Sequence, residues 1–264
     1  AGIVRDSAGT PLADGDQVMP LLAKNHRVVV PDQRGYNLSD KPEGLDAYLL
    51  DKLAADVEAL IDVVSDKPVT LVGHDWGGVV AWYAAFLYPE KVERLVIANG
   101  PHPNVFAREY ANNPAQKNAS GYMTLLQSPT AESVLSGNDY AFLIGAMGGV
   151  LDADEAALYK KAWAQEGALT AMLNWYRANM SAIQSSDIEV RVQVPTLVLW
   201  GLKDTALLPG NIVGLDKYVS DLSVQRFPTA THWIAQEQPG AVAKAIGDFV
   251  AGLPIPATAT EVQP

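Results

Sequence analysis

The sequence predicts an α/β protein: a mostly parallel sheet flanked by helices and interrupted by an inserted block of helices. Two observations lead there. Short β-branched apolar runs alternate with longer segments of helical periodicity over residues 26–98 and again over residues 195–251. Between them, residues 105–187 carry helical patterns and almost no strand signal. The length agrees, since 264 residues suffice for one large domain with an insertion and not for two full-sized enzymes. Hydrophobic residues at 48% and charged residues at 19% describe a chain that packs rather than one that stays disordered.

Each element follows from its local pattern. His26–Pro31 (HRVVVP) reads as a buried strand, with the loop Asp32-Gln-Arg-Gly-Tyr36 after it. Leu53, Val57, Leu60, Ile61 and Val64 recur at helical spacing, so residues 51–65 form a helix with one apolar face. Val69–Val72 is the next strand, Gly73–Gly78 a turn, and Val79–Tyr88 a buried helix that stops at Pro89. Val92–Ala98 returns to strand. Within the helical block, Ala171–Met180 has the clearest pattern. Strands resume at Pro195–Trp200 and Leu222–Phe227, and a last helix runs from Pro239 to about Ala251. Residues 1–20 read as loop and helix entry, and the Pro-, Ala- and Thr-rich stretch 254–264 as a fraying tail. The chain therefore divides into a first core part (1–104), a helical cap (105–187), a second core part (188–253) and the tail. A helical block in that place is expected over the carboxyl edge of the sheet, where ligands bind in open α/β folds.

Composition excludes several functions. The formal net charge is −11, which repels phosphate backbones and anionic lipid, and no Lys/Arg run offers a nucleic-acid patch. There are no cysteines, so thiolate catalysis, disulfides and cysteine metal sites are absent. The four histidines, His26, His74, His102 and His232, are far apart and form no H-E-x-x-H pair, so neither a metal nor another cofactor is expected. His26 reads as a surface residue at a strand start and His102 as a structural loop residue near the cap hinge. Residues 1–6 (AGIVRD) lack a signal-peptide core and no run of about 18 apolar residues occurs, which sets the expectation of a cytoplasmic protein, free of membrane, with a homodimer possible.

Gly73-His74-Asp75-Trp76-Gly77-Gly78 follows a strand and opens a helix. It has the G-x-nucleophile-x-G form of a nucleophile elbow, with Asp where Ser is usual. Side chains at 73 and 77 would crowd the tight turn, and the helix N-terminus favours a negative charge on residue 75. A serine needs a base before it attacks a carbonyl, whereas a carboxylate, with an ordinary pKa near ~3.9, is already ionised. It can displace a leaving group at saturated carbon and leave an ester, which water must then hydrolyse with the help of a base and an oxyanion hole. Asp204, in Leu199-Trp-Gly-Leu-Lys-Asp204, and His232, in Ala230-Thr-His232-Trp, follow strands in the order nucleophile, acid, histidine. Asp75 is thus the candidate nucleophile, His232 the base and Asp204 its orienting acid. Each residue alone has a plainer reading, Asp as a turn or helix-cap residue and His as a structural one. Their type, order and position together carry the assignment.

These segments, with Val29–Pro42, Asn99-Gly-Pro-His-Pro103, Asn174-Trp-Tyr-Arg177 and His232-Trp233, resemble the epoxide hydrolases of the α/β-hydrolase superfamily over residues 22–253. The resemblance implies an α/β-hydrolase fold with a cap, and hydrolysis of a small hydrophobic epoxide by water to a vicinal diol without a cofactor. It implies that two cap tyrosines, matched here by Tyr122 and Tyr176, hydrogen-bond the epoxide oxygen. It implies substrate-binding roles for Trp76, whose backbone N–H would also be an oxyanion donor, and for Trp175. Phenols suit a developing alkoxide because they can donate to it. Haloalkane dehalogenases use the same Asp chemistry and are the alternative, although a halide leaves without a proton and has no use for the tyrosines. Fluoroacetate dehalogenases are similar too, but carry Arg at the position of Trp76. A third reading is a relic of the fold that binds small apolar molecules without turnover.

One part of the family pattern is absent. The third strand of the family ends in a His-Gly-x-Pro loop that supplies a second oxyanion N–H, and no such motif occurs here. That strand would lie between those at 26–31 and 69–72, so the sheet is expected to close differently. An oxyanion donor is worth about 10²–10³-fold in rate.

Overall fold

Five strands form one parallel sheet in the order of the chain, from β1 to β5, in a computed structural model that describes residues 2–3, 18–185 and 188–255. The strands are β1 (Gly2–Ile3), β2 (Val69–His74), β3 (Val92–Ala98), β4 (Thr196–Gly201) and β5 (Leu222–Phe227), and each pairs in parallel with the next. Residues alternate between two buried faces, as a sheet covered on both sides requires. Leu71, Leu95, Ile97, Val198 and Trp200 belong to one core cluster, and Val72, Val96, Ala98, Leu197 and Leu199 to the other. Helices α2 (Leu50–Val64) and α3 (Trp76–Leu87) cover the first face. Helices α1 (Val18–Ala23) and α11 (Pro239–Val250), with the short α10 (Ile234–Glu237), cover the second.

Between β3 and β4 the chain forms six helices and, among the described residues, no strand longer than a bridge. They are α4 (Pro103–Asn112), α5 (Pro114–Ala119), α6 (Tyr122–Leu126), α7 (Ala131–Ala146), α8 (Ala153–Trp163) and α9 (Ala168–Ser185). Asn113 caps α5, and an Asp152/Glu155 capping box opens α8. Helix α7 is broken inside, with Asn138, Asp139 and Tyr140 in left-handed backbone. The insertion is fastened to the core by buried side-chain amides. Asn104 donates to the Ile188 carbonyl and accepts from the Val190 N–H, both at 2.8 Å, so it ties the point where the chain enters the insertion to the point where it returns. Asn179 accepts from the Leu50 N–H and donates to the Tyr48 carbonyl.

The expected elements are present, with α3 starting three residues early at Trp76 and α9 running past Ala171–Met180 to Ala168–Ser185, and with one exception. His26–Pro31 is not a strand: Val28–Val30 run without regular structure and half-buried, and no strand begins at the half-buried His26. β-Branched residues favour a strand only where a ladder partner exists. The slot beside β2 is filled instead by the two residues of β1, with Gly2 opposite Leu71 and Ile3 opposite Val72. A strand there corrects the reading of residues 1–20 as loop and helix entry alone. The turn expected over 73–78 contracts to Asp75, because β2 continues to His74 and α3 starts at Trp76. Residues 4–17 of the stretch read as loop and helix entry, and residues 256–264 of the expected tail, lie outside the described residues.

Candidate active site

Asp75 sits between β2 and α3 with φ 51° and ψ −124°, a conformation that costs a non-glycine residue about 1–3 kcal/mol. Glycines make the turn possible. A Cβ on Gly73 would come within 2.4 Å of the Gly77 carbonyl oxygen, and one on Gly78 within 2.8 Å of the Gly100 Cα. Gly78 thus adds a crowding point against the loop after β3, which the sequence did not reveal. The elbow holds the Asp75 side chain 14% exposed at the carboxyl edge of the sheet.

Two further loops at that edge complete the arrangement. His232 Nδ1 lies 2.8 Å from Asp204 Oδ2, and its Nε2 lies 3.3 Å from Asp75 Oδ1. An ionised carboxylate only accepts, so Nδ1 carries a proton and Nε2 faces Asp75. The Asp204 side chain is fully buried and its acceptor sites are filled. Oδ1 takes the Ala206 and Leu207 N–H groups, both at 2.8 Å, and Oδ2 takes Asn99 Nδ2 at 2.7 Å beside His232. Burial pushes this carboxyl up, but the His232 charge and these donors outweigh it and hold the pKa below the usual value. Burial likewise disfavours an imidazolium at His232, and the Asp204 and Asp75 carboxylates reverse that and raise its pKa.

Tyr122, at the start of α6, and Tyr176, on α9, face the same carboxylate from the insertion. Their rings meet edge-on with centroids 6.5 Å apart, and the Trp76 ring packs edge-on against Tyr176 at 5.1 Å. Burial, with the Asp75 charge adding to it, holds both phenols well above their ordinary pKa and so in the protonated, donating form. Asp75, Tyr122, Tyr176 and His232 line a cavity of about 350 Å³, otherwise walled largely by apolar side chains such as Leu135, Met172 and Trp233. A much smaller hollow lies on the other side of Asp75 and Tyr122, lined by Trp76, Phe106, Met123 and Met180. A larger surface groove near Pro31 and Leu60 touches none of the candidate catalytic residues.

Trp175 is placed differently from its expected substrate-binding role. It is fully buried, its indole N–H donates to the Arg34 carbonyl at 3.1 Å, and it packs edge-on against Trp76 and Tyr36 rather than lining the cavity. Trp76 borders only the small hollow. Three residues with no assigned role from sequence also build the site. Asn99, just past β3, donates to Asp204 and accepts from the Gly201 N–H at 2.8 Å. His74 must donate through Nε2, because its partner at 2.8 Å is the His232 carbonyl, and so it pins the backbone of His232. Gln116 reaches the acid loop from the insertion. A polar side chain directly at a strand's carboxyl end marks the first two, but nothing in the sequence names their partners. His102 is buried, stacked on Tyr218 and edge-on to Trp82.

Residues 13–239 match the family model described as alpha/beta hydrolase fold. The chain belongs to the α/β-hydrolase fold family. This α/β hydrolase is 38% identical over 243 residues to the AB hydrolase superfamily protein YfhM of Bacillus subtilis, covering 89% of this chain and 84% of that one. It is 35% identical to human epoxide hydrolase 4 over 85% of this chain. It spans 65% of that relative's length, and 63% of the length of Caenorhabditis elegans epoxide hydrolase 2, to which it is 34% identical over 81% of this chain. Among solved structures, an epoxide hydrolase from Bacillus megaterium superposes with a TM-score of 0.82 at 29% identity, covering 95% of this chain and 92% of that one. Among the described residues, no helix of this α/β hydrolase is long and apolar enough to cross a membrane.

Proposed function

We propose that this chain is an epoxide hydrolase that opens a small hydrophobic epoxide to a vicinal diol through an ester on Asp75. The observation that carries the proposal is the placement of His232 between two carboxylates, 3.3 Å from Asp75 and 2.8 Å from Asp204, beneath two tyrosines that face Asp75 in an apolar cavity. Helices α4–α9 act as the cap that brings those tyrosines over the core.

An Asp75 oxygen attacks one epoxide carbon as the carbon–oxygen bond of the ring breaks, which leaves an ester and an alkoxide. Tyr122 and Tyr176 stabilise the alkoxide and pass it a proton. Esterification removes one of the two negative charges that hold His232 protonated, so His232 gives up its proton to make good the one the tyrosines passed on. The neutral Nε2 then takes a proton from water, whose oxygen attacks the ester carbonyl. The tetrahedral intermediate faces the N-terminus of α3, where the Trp76 N–H has no intrahelical acceptor. Collapse breaks the acyl carbon–oxygen bond, and His232 protonates the departing diol oxygen. The proton left on the Asp75 carboxyl returns to His232. Epoxide and water are consumed and a diol is made. Dehalogenation is less well supported, because a halide leaves without a proton and has no use for the two tyrosines that line the cavity with Asp75.

The test is intact mass after mixing a His232→Gln variant with styrene oxide. The expected result is a lasting gain equal to the whole epoxide, abolished by Asp75→Asn. A gain of an alkyl group from a chloroalkane, with chloride released, would make the chain a dehalogenase. No adduct from either reagent would remove the covalent reading.

A further inference from the structure

We infer that Gln116 is a positioning residue for both halves of the reaction, because its amide bonds the acid loop of the core to the turn that carries Tyr122. The inference rests on the proposed ester mechanism at Asp75. Gln116 lies on α5 and is fully buried, and its amide makes four hydrogen bonds, all that it can make. Oε1 accepts from the Leu208 N–H at 2.9 Å and from Asn211 Nδ2 at 2.8 Å. Nε2 donates to the Ala206 carbonyl at 2.8 Å and to Ser120 Oγ at 3.0 Å.

The partners lie on two sides. Ala206, Leu208 and Asn211 belong to the segment that begins at Asp204, and the Ala206 N–H donates to Asp204 Oδ1. Ala206 is thus held at its N–H by the acid and at its carbonyl by Gln116. Ser120 lies two residues before Tyr122, and its carbonyl accepts the Met123 N–H in the first turn of α6. One side chain therefore fixes the acid that orients His232 and the phenol above Asp75. An apolar replacement leaves the Leu208 N–H, the Ala206 carbonyl, Ser120 Oγ and the Asn211 amide each short of a partner in a dry site, and the two segments are then free to drift apart. Displacements of that kind, away from the reacting atoms, cost up to about 10²-fold in rate.

The experiment follows the ester on Asp75 by quenched-flow intact mass, across pH, in wild type, Gln116→Met and Ser120→Ala with styrene oxide. Melting temperature is recorded for each. Gln116→Met is expected to slow both ester formation and ester hydrolysis by roughly 10- to 100-fold, and to lower the pH midpoint of hydrolysis as Asp204 loses its hold on His232. Ser120→Ala cuts only the bond to the turn that carries Tyr122, and is expected to slow ester formation alone. A purely structural glutamine would lower the melting temperature and leave both rates and the pH midpoint of the folded protein within twofold of wild type, which overturns the inference. If Gln116→Met does not fold, Ser120→Ala decides, and unchanged ester formation there overturns it as well. Absence of any ester in wild type and His232→Gln alike would instead remove the mechanism on which the inference rests.

Discussion

The core and the helical insertion hold their candidate catalytic residues by different means. In the core, Asp75, Asp204 and His232 stand at the carboxyl ends of β2, β4 and β5, and strand pairing with close backbone contact fixes where those ends lie. In the insertion, Tyr122 and Tyr176 ride on helices that meet the core through packed side chains such as Met123, Trp175 and Met180 and through three side-chain amides, Asn104, Gln116 and Asn179. Strand register is all-or-none, since a slip of one residue reverses every side chain. Side-chain packing and side-chain hydrogen bonds give by degrees instead, each hydrogen bond contributing about 0.5–1.5 kcal/mol. Substitutions in the core should therefore abolish single steps, and those in the insertion should grade them.

The comparison is sharpest at the elbow. Asp75→Asn should reduce diol formation by about 10⁴-fold or more, as measured by product release, because nothing else in the site can form the ester. Comparable turnover in that variant would show that His232 activates water directly on the epoxide. Asp204→Asn should come next, slowing ester hydrolysis by about 10²–10⁴-fold while ester formation continues. The same change should lower the His232 pKa, read from the imidazole NMR signals, since the Asp204 carboxylate is the leading cause of its rise. The sign for stability follows. With its folded pKa raised, His232 stabilises the native state below the ordinary histidine pKa, and that contribution is lost as pH climbs through the folded value.

Effects in the insertion should be smaller. Tyr176→Phe or Tyr122→Phe should slow ester formation by about 10–10³-fold and leave hydrolysis of the formed ester unchanged, which single-turnover measurements separate. An equal loss in both steps would mean that the insertion controls the core more tightly than its fastenings suggest.

The smallest effect is expected at the Arg177–Glu132 pair, which joins α9 to α7 at 2.7 Å. The Arg177 hydrogen bonds hold the Glu132 carboxyl at about 2, below its ordinary 4.5. The pair therefore stabilises above the ordinary value, and its contribution fades as pH falls from about 4.5 to about 2. With Glu132 about a third exposed, solvent screening limits this to under about 1 kcal/mol. Glu132→Gln should lower the melting temperature slightly at neutral pH, by less at pH 3 and not at all below about pH 2, as calorimetry can check.

The sequence by itself determined the parallel core, the position of the helical insertion and the nucleophile–acid–histidine order. Strand period, helix period and the glycine-bounded Asp75 are local signals, legible without knowing which parts of the chain meet. Only the tertiary structure decided whether a strand-like run becomes a strand: Val28–Val30 has the right residues, but β1 occupies the slot beside β2. It alone placed Trp175 behind the cavity, and it alone brought Asn99, His74 and Gln116 to the triad. Their hydrogen-bond partners lie about a hundred residues or more away in the chain, at separations of 105, 158 and 90. A buried amide or imidazole is defined by the groups it satisfies, and the chain has to fold before those groups share one place.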